Sequence, residues 1–466
     1  GKLLFLFYTY SYLHNLGMKR KEFLKTSSAL VAGSFLSPLH HSAQSKEMVR
    51  KNWAGNYTYQ AEYLHEPRSV EEIPALVKKL ELQKPLGSRH CFNNIADSPL
   101  NQISTQHLNQ IVEINEEAKT ITVEAGVRYG DFAPELHQRG YALHNLASLP
   151  HISVAGACVT GTHGSGVNNG NLSTAVAALE FVTPEGEVVT LHRKKDGNTF
   201  NGAVVNMGSI GLITKVTLDM QETFMVRQDL FQELPLASLQ DHFDEIMSSG
   251  YSVSLFTDWL NDQVSQIWIK RRVEEGTSDM ENNFYGAQAA TRDLHPITRL
   301  SAEHCTEQLG VPGPWYERLP HFKMGFTPSS GEELQSEYFV PRRNAVDAIM
   351  AIEKMGDQIF PQLLISEIRT IAADSFWMSP CYQQDSVALH FTWKQNWAEV
   401  QKLLPKIEAE LSPYGARPHW GKLFTLDAKV LQSRYEKLAD FLQLTKTYDP
   451  QGKLRNAYLN DTIYAA

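Results

Sequence analysis

Between residue 53 and about residue 220, short runs of helical period alternate with short runs of strand period. Val70, Ile73, Leu76, Val77 and Leu80 fall on one face of a 3.6-residue repeat, which predicts an amphipathic helix over 70–82. Thr120-Ile121-Thr122-Val123-Glu124-Ala125 alternates with period two and predicts a strand broken by Gly126. Residues 132–139 read as a helix stopped at Gly140. The runs 176–182 and 188–191 flank Pro184-Glu185-Gly186-Glu187, a hairpin signal. Asn206-Met207-Gly208-Ser209-Ile210-Gly211 is a glycine turn entering a β-branched strand over 212–218. This succession predicts an α+β domain of strands packed on helices. From 221 to about 442 aromatic residues become denser, and longer helical patterns appear at 343–355 and 397–411, which predicts a second domain. The last segment, 443–466, holds a turn at Asp449-Pro450-Gln451-Gly452 and then a short terminal stretch.

The length of 466 residues suffices for two cores. A net charge of −9 without a Lys/Arg stripe argues against a nucleic-acid partner. The 4 cysteines, Cys91, Cys158, Cys305 and Cys381, show no CxxC spacing, which argues against a metal site or a disulfide framework and leaves a single bridge open. No run is long and apolar enough to predict a membrane span. Residues 1–43 read as a leader. Lys19-Arg20-Lys21-Glu22-Phe23-Leu24-Lys25 is basic, an apolar run follows over 29–36, and Ser42-Ala43 offers a small-residue cleavage site. The basic cluster is similar to a twin-arginine signal with Lys21 in place of the second Arg, so export to the periplasm is expected. The plainer alternative is an amphipathic N-terminal helix.

Two stretches carry candidate cofactor chemistry. In Pro85-Leu86-Gly87-Ser88-Arg89-His90-Cys91-Phe92-Asn93 a histidine sits in a tight polar loop, and Gly87 and Ser88 let backbone approach a ligand closely. The run 145–166 contains Ser148, Ser153, Gly156, Gly161, Thr162, His163, Gly164, Ser165 and Gly166. Neither the P-loop nor the G-x-G-x-x-G pattern fits it. What it offers a pyrophosphate is a nest of backbone N–H donors, with no lysine and no helix dipole. From the residues alone, a plain loop and a surface histidine are the commoner readings. Further on, Glu367 and Arg369 share one strand face, and His390 and Thr392 share another, opposite Leu389, Phe391 and Trp393. Alternation alone favours a half-exposed strand with these polar groups in water. Lys422 ends the turn Arg417-Pro418-His419-Trp420-Gly421-Lys422.

These residues resemble the vanillyl-alcohol-oxidase superfamily of flavoproteins and, within it, the alditol oxidases. The resemblance rests on the Gly-Ser-Arg-His loop, on Thr160-Gly161-Thr162-His163-Gly164-Ser165-Gly166, and on Glu-x-Arg, His-x-Thr and His-Trp-Gly-Lys in the same order. It runs through nearly all of residues 50–460. It implies a two-domain α+β fold of the PCMH type, with an FAD-binding domain over 51–220, a substrate-binding cap over 221–442, and a C-terminal segment, 443–466, returning to the FAD site. It further implies FAD covalently attached at His90 through the 8α-methyl carbon of the isoalloxazine. Gly87, Ser88, Arg89, Cys91, Ser148, Ser153, Gly156, the 161–166 loop, Gly211 and Ile213 would surround the cofactor. Cys91 stands where the family usually has Ser. Relatives that link flavin to a cysteine as well place it near Leu149 rather than Cys158, so a single link is expected. Ala147 and Ser148 fall where the family covers the flavin's reactive edge.

The reaction implied is oxidation of a small polyol, with molecular oxygen as acceptor and hydrogen peroxide as product. Glu367, Arg369 and Thr392 suit hydroxyl recognition, since a buried hydroxyl without a partner costs roughly 1–3 kcal/mol. His390 is the candidate base for the hydroxyl proton, and Lys422 the candidate stabiliser of charge at the flavin N1/C2 carbonyl edge. Two rivals stand beside this reading: a sugar-lactone dehydrogenase passing electrons to a cytochrome or quinone, and a periplasmic polyol-binding protein without turnover.

Overall fold

The computed structural model describes residues 49–325 and 332–465. The expected leader and its cleavage site lie outside the described residues. The alternation read at 120–125 produces the strand Thr120–Glu124, with Ile121 and Val123 fully buried. It is the second strand of a five-stranded antiparallel sheet, ordered Ile111–Asn115, Thr120–Glu124, Leu212–Asp219, Val176–Val182, Val188–His192. The hairpin between the last two turns at Gly186, whose φ of +82° favours a residue without Cβ. The helix expected over 70–82 is shorter, Ile73–Lys79 after a single 3₁₀ turn, because the chain then extends into the strand Gln83–Leu86. That strand joins Tyr63–His65 and Asn101–Ser104 in a small parallel sheet.

The second architecture begins at Met225. A ten-stranded sheet is built entirely from residues between Met225 and Pro418. Toward one end of it the strands Leu363–Ile371, Ser386–Lys394 and Glu333–Pro341 lie side by side and antiparallel. Val387, Leu389, Phe391 and Trp393 point to one face, into a core closed by the helices Leu236–Met247, Ala345–Glu353 and Trp397–Leu411. The other face turns toward the first architecture. His390 and Thr392 are therefore buried as well, and the half-exposed strand that alternation favoured is not what forms.

Two further details position the site. Part of the Gly/Ser/Thr run winds into a helix, Val154–Val159, so this stretch is not the purely irregular nest that its composition suggests. The helices Ala428–Ser433 and Leu438–Tyr448 pack Leu431, Phe441 and Leu444 into the core of the first sheet. The chain thus returns to that layer before residue 443, since helical periodicity does not say which core an apolar stripe will join. All 4 cysteines are free thiols.

Candidate active site

A cavity of about 490 Å³ lies between the two layers. Backbone interactions of its walls hold the two key loops together. Asn93 donates from Nδ2 to the carbonyls of Trp420 and Lys422, both at 2.8 Å, and the Phe92 amide donates to Gly421 O at 2.7 Å. The histidine loop is thereby pinned to the lysine turn. Arg89 takes a left-handed φ of +65°, and its carbonyl accepts from the Trp53 amide at 2.8 Å. This strained step presents His90 to the cavity, stacked on the Trp53 indole at 4.8 Å and beside the His151 ring at 4.9 Å. Burial, then the neighbouring His151 and Arg89, push the His90 pKa down to about 3, so its imidazole is neutral and keeps a lone pair. Burial pushes the Cys91 thiol up to about 12 and keeps it protonated.

Gly87, Ser88, Arg89, His90, Cys91, Ser148, Ser153, Gly156, Thr162, His163, Gly211 and Ile213 all line this cavity. Gly161, Gly164, Ser165 and Gly166 do not. Their half of the loop ties the first layer to the large sheet instead. The Gly166 amide donates to Thr370 O at 2.9 Å, and Ser165 Oγ donates to Val253 O. A Cβ on Gly164 would stand 2.3 Å from Leu146 O, so this glycine serves close packing.

The residues present fit a dinucleotide. Ser153 Oγ is buried without a partner, and Cβ atoms on Gly87 and Gly156 would lie 2.7 Å and 2.8 Å from it. Bare backbone thus flanks a free hydroxyl, the kind of cradle a phosphate oxygen fills. Trp53 Nε1 is also buried and unpartnered.

The opposite wall is a polar cluster on the large sheet. Strand register places Glu337, His390 and Glu367 in one row across three strands, while Arg369 stands two residues beyond Glu367 on the same strand. Glu337 is fully buried. Its Oε1 accepts from Arg369 Nη2 at 2.8 Å, and its Oε2 accepts from Lys422 Nζ at 2.7 Å. His163 Nε2 approaches Oε1 at 3.2 Å. Lys422 Nζ is also 2.8 Å from His390 Nδ1, and His390 Nε2 is 3.0 Å from Thr392 Oγ1. On the far side of the row, His321 Nε2 meets Glu367 Oε1 at 2.8 Å, and Lys270 Nζ meets His321 Nδ1 at 3.1 Å. The ionised Glu367 can only accept, which fixes the His321 proton on Nε2 and leaves Nδ1 to accept from Lys270, whose Nζ also donates to the carbonyls of Leu319 and Pro320.

Electrostatics follow from burial opposed by pairing. Burial would raise the Glu337 carboxyl, but Lys422, His163, Arg369 and His390 outweigh it and hold the group well below the usual carboxylate range. Glu367 is likewise depressed: burial raises it, and Arg369 and His321 more than reverse that. Burial, then the Lys422 charge, lowers His390 to about 4. Burial lowers Lys422, and Glu337 partly restores it.

All five residues expected to handle substrate, Glu367, Arg369, His390, Thr392 and Lys422, line this one cavity. Lys422 is not a free cation, because Glu337 and His390 hold its Nζ. The motif reading passed over Glu337, Lys270 and His321. A signal existed for the first two: each is a charge directly beside an apolar run, Glu337 before Tyr338-Phe339-Val340 and Lys270 after Ile267-Trp268-Ile269. His321 carried none, since it lies in an irregular segment.

Fold and site together define an FAD-dependent oxidoreductase with a substrate-binding cap. Residues 61–192 match the FAD-binding domain family, and residues 329–462 match the family described as D-arabinono-1,4-lactone oxidase. The chain is 45% identical over 415 residues to an alditol oxidase of a Streptomyces species, covering 88% of this chain and 98% of that one. It is 24% identical to the L-gulonolactone oxidase of Mus musculus and 25% identical to an L-gulono-1,4-lactone dehydrogenase of Mycobacterium tuberculosis, covering 98% of each. The crystal structure of cholesterol oxidase from B. sterolicum superposes with a TM-score of 0.72 at 14% identity, covering 89% of this chain and 96% of that one, and shows the shared fold. The chain belongs to the alditol oxidase family of the vanillyl-alcohol-oxidase flavoproteins.

Proposed function

We propose that this enzyme oxidises a small polyol at one hydroxyl-bearing carbon. The observation that carries the reading is that Glu367, Arg369, His390, Thr392 and Lys422 all face one cavity with the His90 loop, with Glu337 buried behind them. Several fixed donors and acceptors in a buried wall suit a ligand that carries a hydroxyl on every carbon. Glu367 has Oε1 engaged by His321, which leaves its other oxygen to accept from a substrate hydroxyl. Arg369 donates toward Ser148 Oγ at 3.4 Å, so guanidinium and serine border the same space.

The proton path follows from the hydrogen bonds. When Lys422 is an ammonium it donates to His390 Nδ1, the ring proton sits on Nε2 and points at Thr392, and His390 cannot act as a base. When Lys422 is a neutral amine, Nδ1–H donates to Nζ and Nε2 carries the lone pair. His390 then takes the hydroxyl proton at Nε2 while its Nδ1 proton passes to Lys422. Positive charge ends on Nζ, 2.7 Å from the Glu337 carboxylate. FAD held here would supply the hydride acceptor and, with molecular oxygen as the final oxidant, the chemistry that yields hydrogen peroxide. Ser153, Gly87 and Gly156 would hold its phosphates, and the neutral His90 imidazole would carry the covalent bond to it. The relay predicts a reduction rate that rises with pH as Lys422 loses its proton.

The test is anaerobic reduction by a panel of xylitol, sorbitol, glycerol and L-gulono-1,4-lactone, followed by readmission of oxygen. Bleaching by a polyol and rapid return of colour with peroxide is the expected result. Bleaching by the lactone alone, with slow return of colour, would move the enzyme to the lactone-oxidising relatives. Export of a mature chain starting after Ala43 belongs to the same reading, and N-terminal sequencing of the native protein tests it; a cytoplasmic chain starting at Met18 would end it.

A further inference from the structure

Glu337 sits in the middle of the strand Glu333–Pro341, 1% exposed, and no proton transfer above passes through it. Yet three groups that the reaction needs converge on its carboxylate. Lys422 Nζ is 2.7 Å from Oε2, Arg369 Nη2 is 2.8 Å from Oε1, and His390 Nδ1 is 3.7 Å from Oε1. The charged and titratable groups facing it come from every packed element. His390 comes from the adjacent strand Ser386–Lys394, and Arg369, with Glu367 behind it, from the strand beyond that, Leu363–Ile371. His419 and Lys422 come from the turn, His163 from the loop of the first layer, and the Cys381 thiol lies beyond.

We propose that Glu337 is a positioning residue: its negative charge receives the ammonium that Lys422 becomes and anchors Arg369 at its other oxygen. The inference rests on the relay described above. In that relay the substrate O–H bond breaks as Nε2–H forms, and Nδ1–H breaks as Nζ–H forms. A cation is therefore created on a largely buried side chain, and a carboxylate 2.7 Å away is what lowers its energy. Bulk and hydrogen-bonding capacity alone would not serve. A glutamine there would be neutral and would turn an NH₂ group against either Lys422 or Arg369, both donors.

The experiment uses the full-length holoenzyme with Glu337→Gln, Glu337→Asp, Lys422→Met and the double variant Glu337→Gln/Lys422→Met. Flavin reduction by xylitol is followed in anaerobic stopped flow across neutral to alkaline pH, and unfolding midpoints are measured in parallel. Without Glu337 the Lys422 ammonium loses the neighbour that favours it, so in Glu337→Gln the rise with pH moves to lower pH. Its plateau falls by at least about tenfold, and KM rises because Arg369 loses its anchor. Glu337→Asp keeps the charge, so it keeps the wild-type position of the rise and recovers part of the rate. Once Lys422 is gone the charge has no ammonium to receive, so the limiting rate of the double variant lies within about twofold of Lys422→Met, while the rise in KM that comes from Arg369 remains. Its unfolding midpoint drops by less than the sum of the two single drops. A wild-type rise in Glu337→Gln, or additive losses in rate and in midpoint, would overturn the proposal. If no polyol bleaches the wild-type flavin, the reaction assignment falls instead, and the unfolding midpoints still decide whether Glu337 holds Lys422.

Discussion

Replacing His390 by asparagine isolates the proton transfer from the rest of the cluster. The amide oxygen of asparagine stands near the position of Nδ1, so Lys422 keeps an acceptor in place of the 2.8 Å contact it now makes. What disappears is a nitrogen that can take up a proton. The 3.0 Å contact to Thr392 goes too, at a net cost of about 1 kcal/mol of stability, small enough for the variant to fold. Loss of a positioned base costs about 10²–10⁴-fold in the chemical step, or about 2.7–5.4 kcal/mol of barrier at 1.36 kcal/mol per tenfold. The assay is anaerobic stopped-flow reduction by xylitol and by its deuterated form across pH. With its pKa pushed down to about 4, His390 is neutral throughout the usual assay range, so the wild-type rise with pH belongs to Lys422. In His390→Asn that rise should vanish along with the rate, while the isotope effect on hydride transfer persists. Reduction within about fivefold of wild type, with the pH dependence intact, would refute a base at this position.

Further outcomes follow from the same geometry. Protein precipitated in acid should stay yellow through a bond at His90; His90→Ala should retain FAD on the Ser153 side but reduce it more slowly, because an imidazole bonded to the ring withdraws electron density. Thr392→Ala should raise KM by about 2–12-fold, equivalent to about 0.5–1.5 kcal/mol for one hydrogen bond, with a smaller effect on kcat. Gly211→Ala would bring a Cβ within 2.6 Å of Val182 O and 2.7 Å of the Phe181 ring, so thermal unfolding should show a loss of about 1–3 kcal/mol. By contrast, the new Cβ in Gly87→Ala comes closest to the Ser153 hydroxyl, which can rotate, so that variant should fold normally and lose flavin absorbance relative to protein.

Local pattern was enough for much of the first layer. The strands Thr120–Glu124 and Val176–Val182, the stop at Gly140 and the turn at Gly186 are decided by neighbouring residues, and period and turn chemistry write those into the chain. The motifs also named the histidine loop, the Glu-x-Arg and His-x-Thr pairs and the lysine turn. Which of them meet was not legible. Alternation at 387–393 put His390 and Thr392 on one face but left that face in water, because periodicity sees one strand and not the layer that covers it. The same limit hid the split of the Gly/Ser/Thr run, where Gly156 lines the cavity and Gly164 only packs, a difference that rests on backbone atoms far away in sequence. Glu337 shows the division most clearly. A carboxylate directly before the apolar run Tyr338-Phe339-Val340 is visible in the sequence, but the Lys422 and Arg369 that pair with it come from two other segments. Only long-range packing brings those charges within reach, and only their proximity makes a buried carboxylate tolerable.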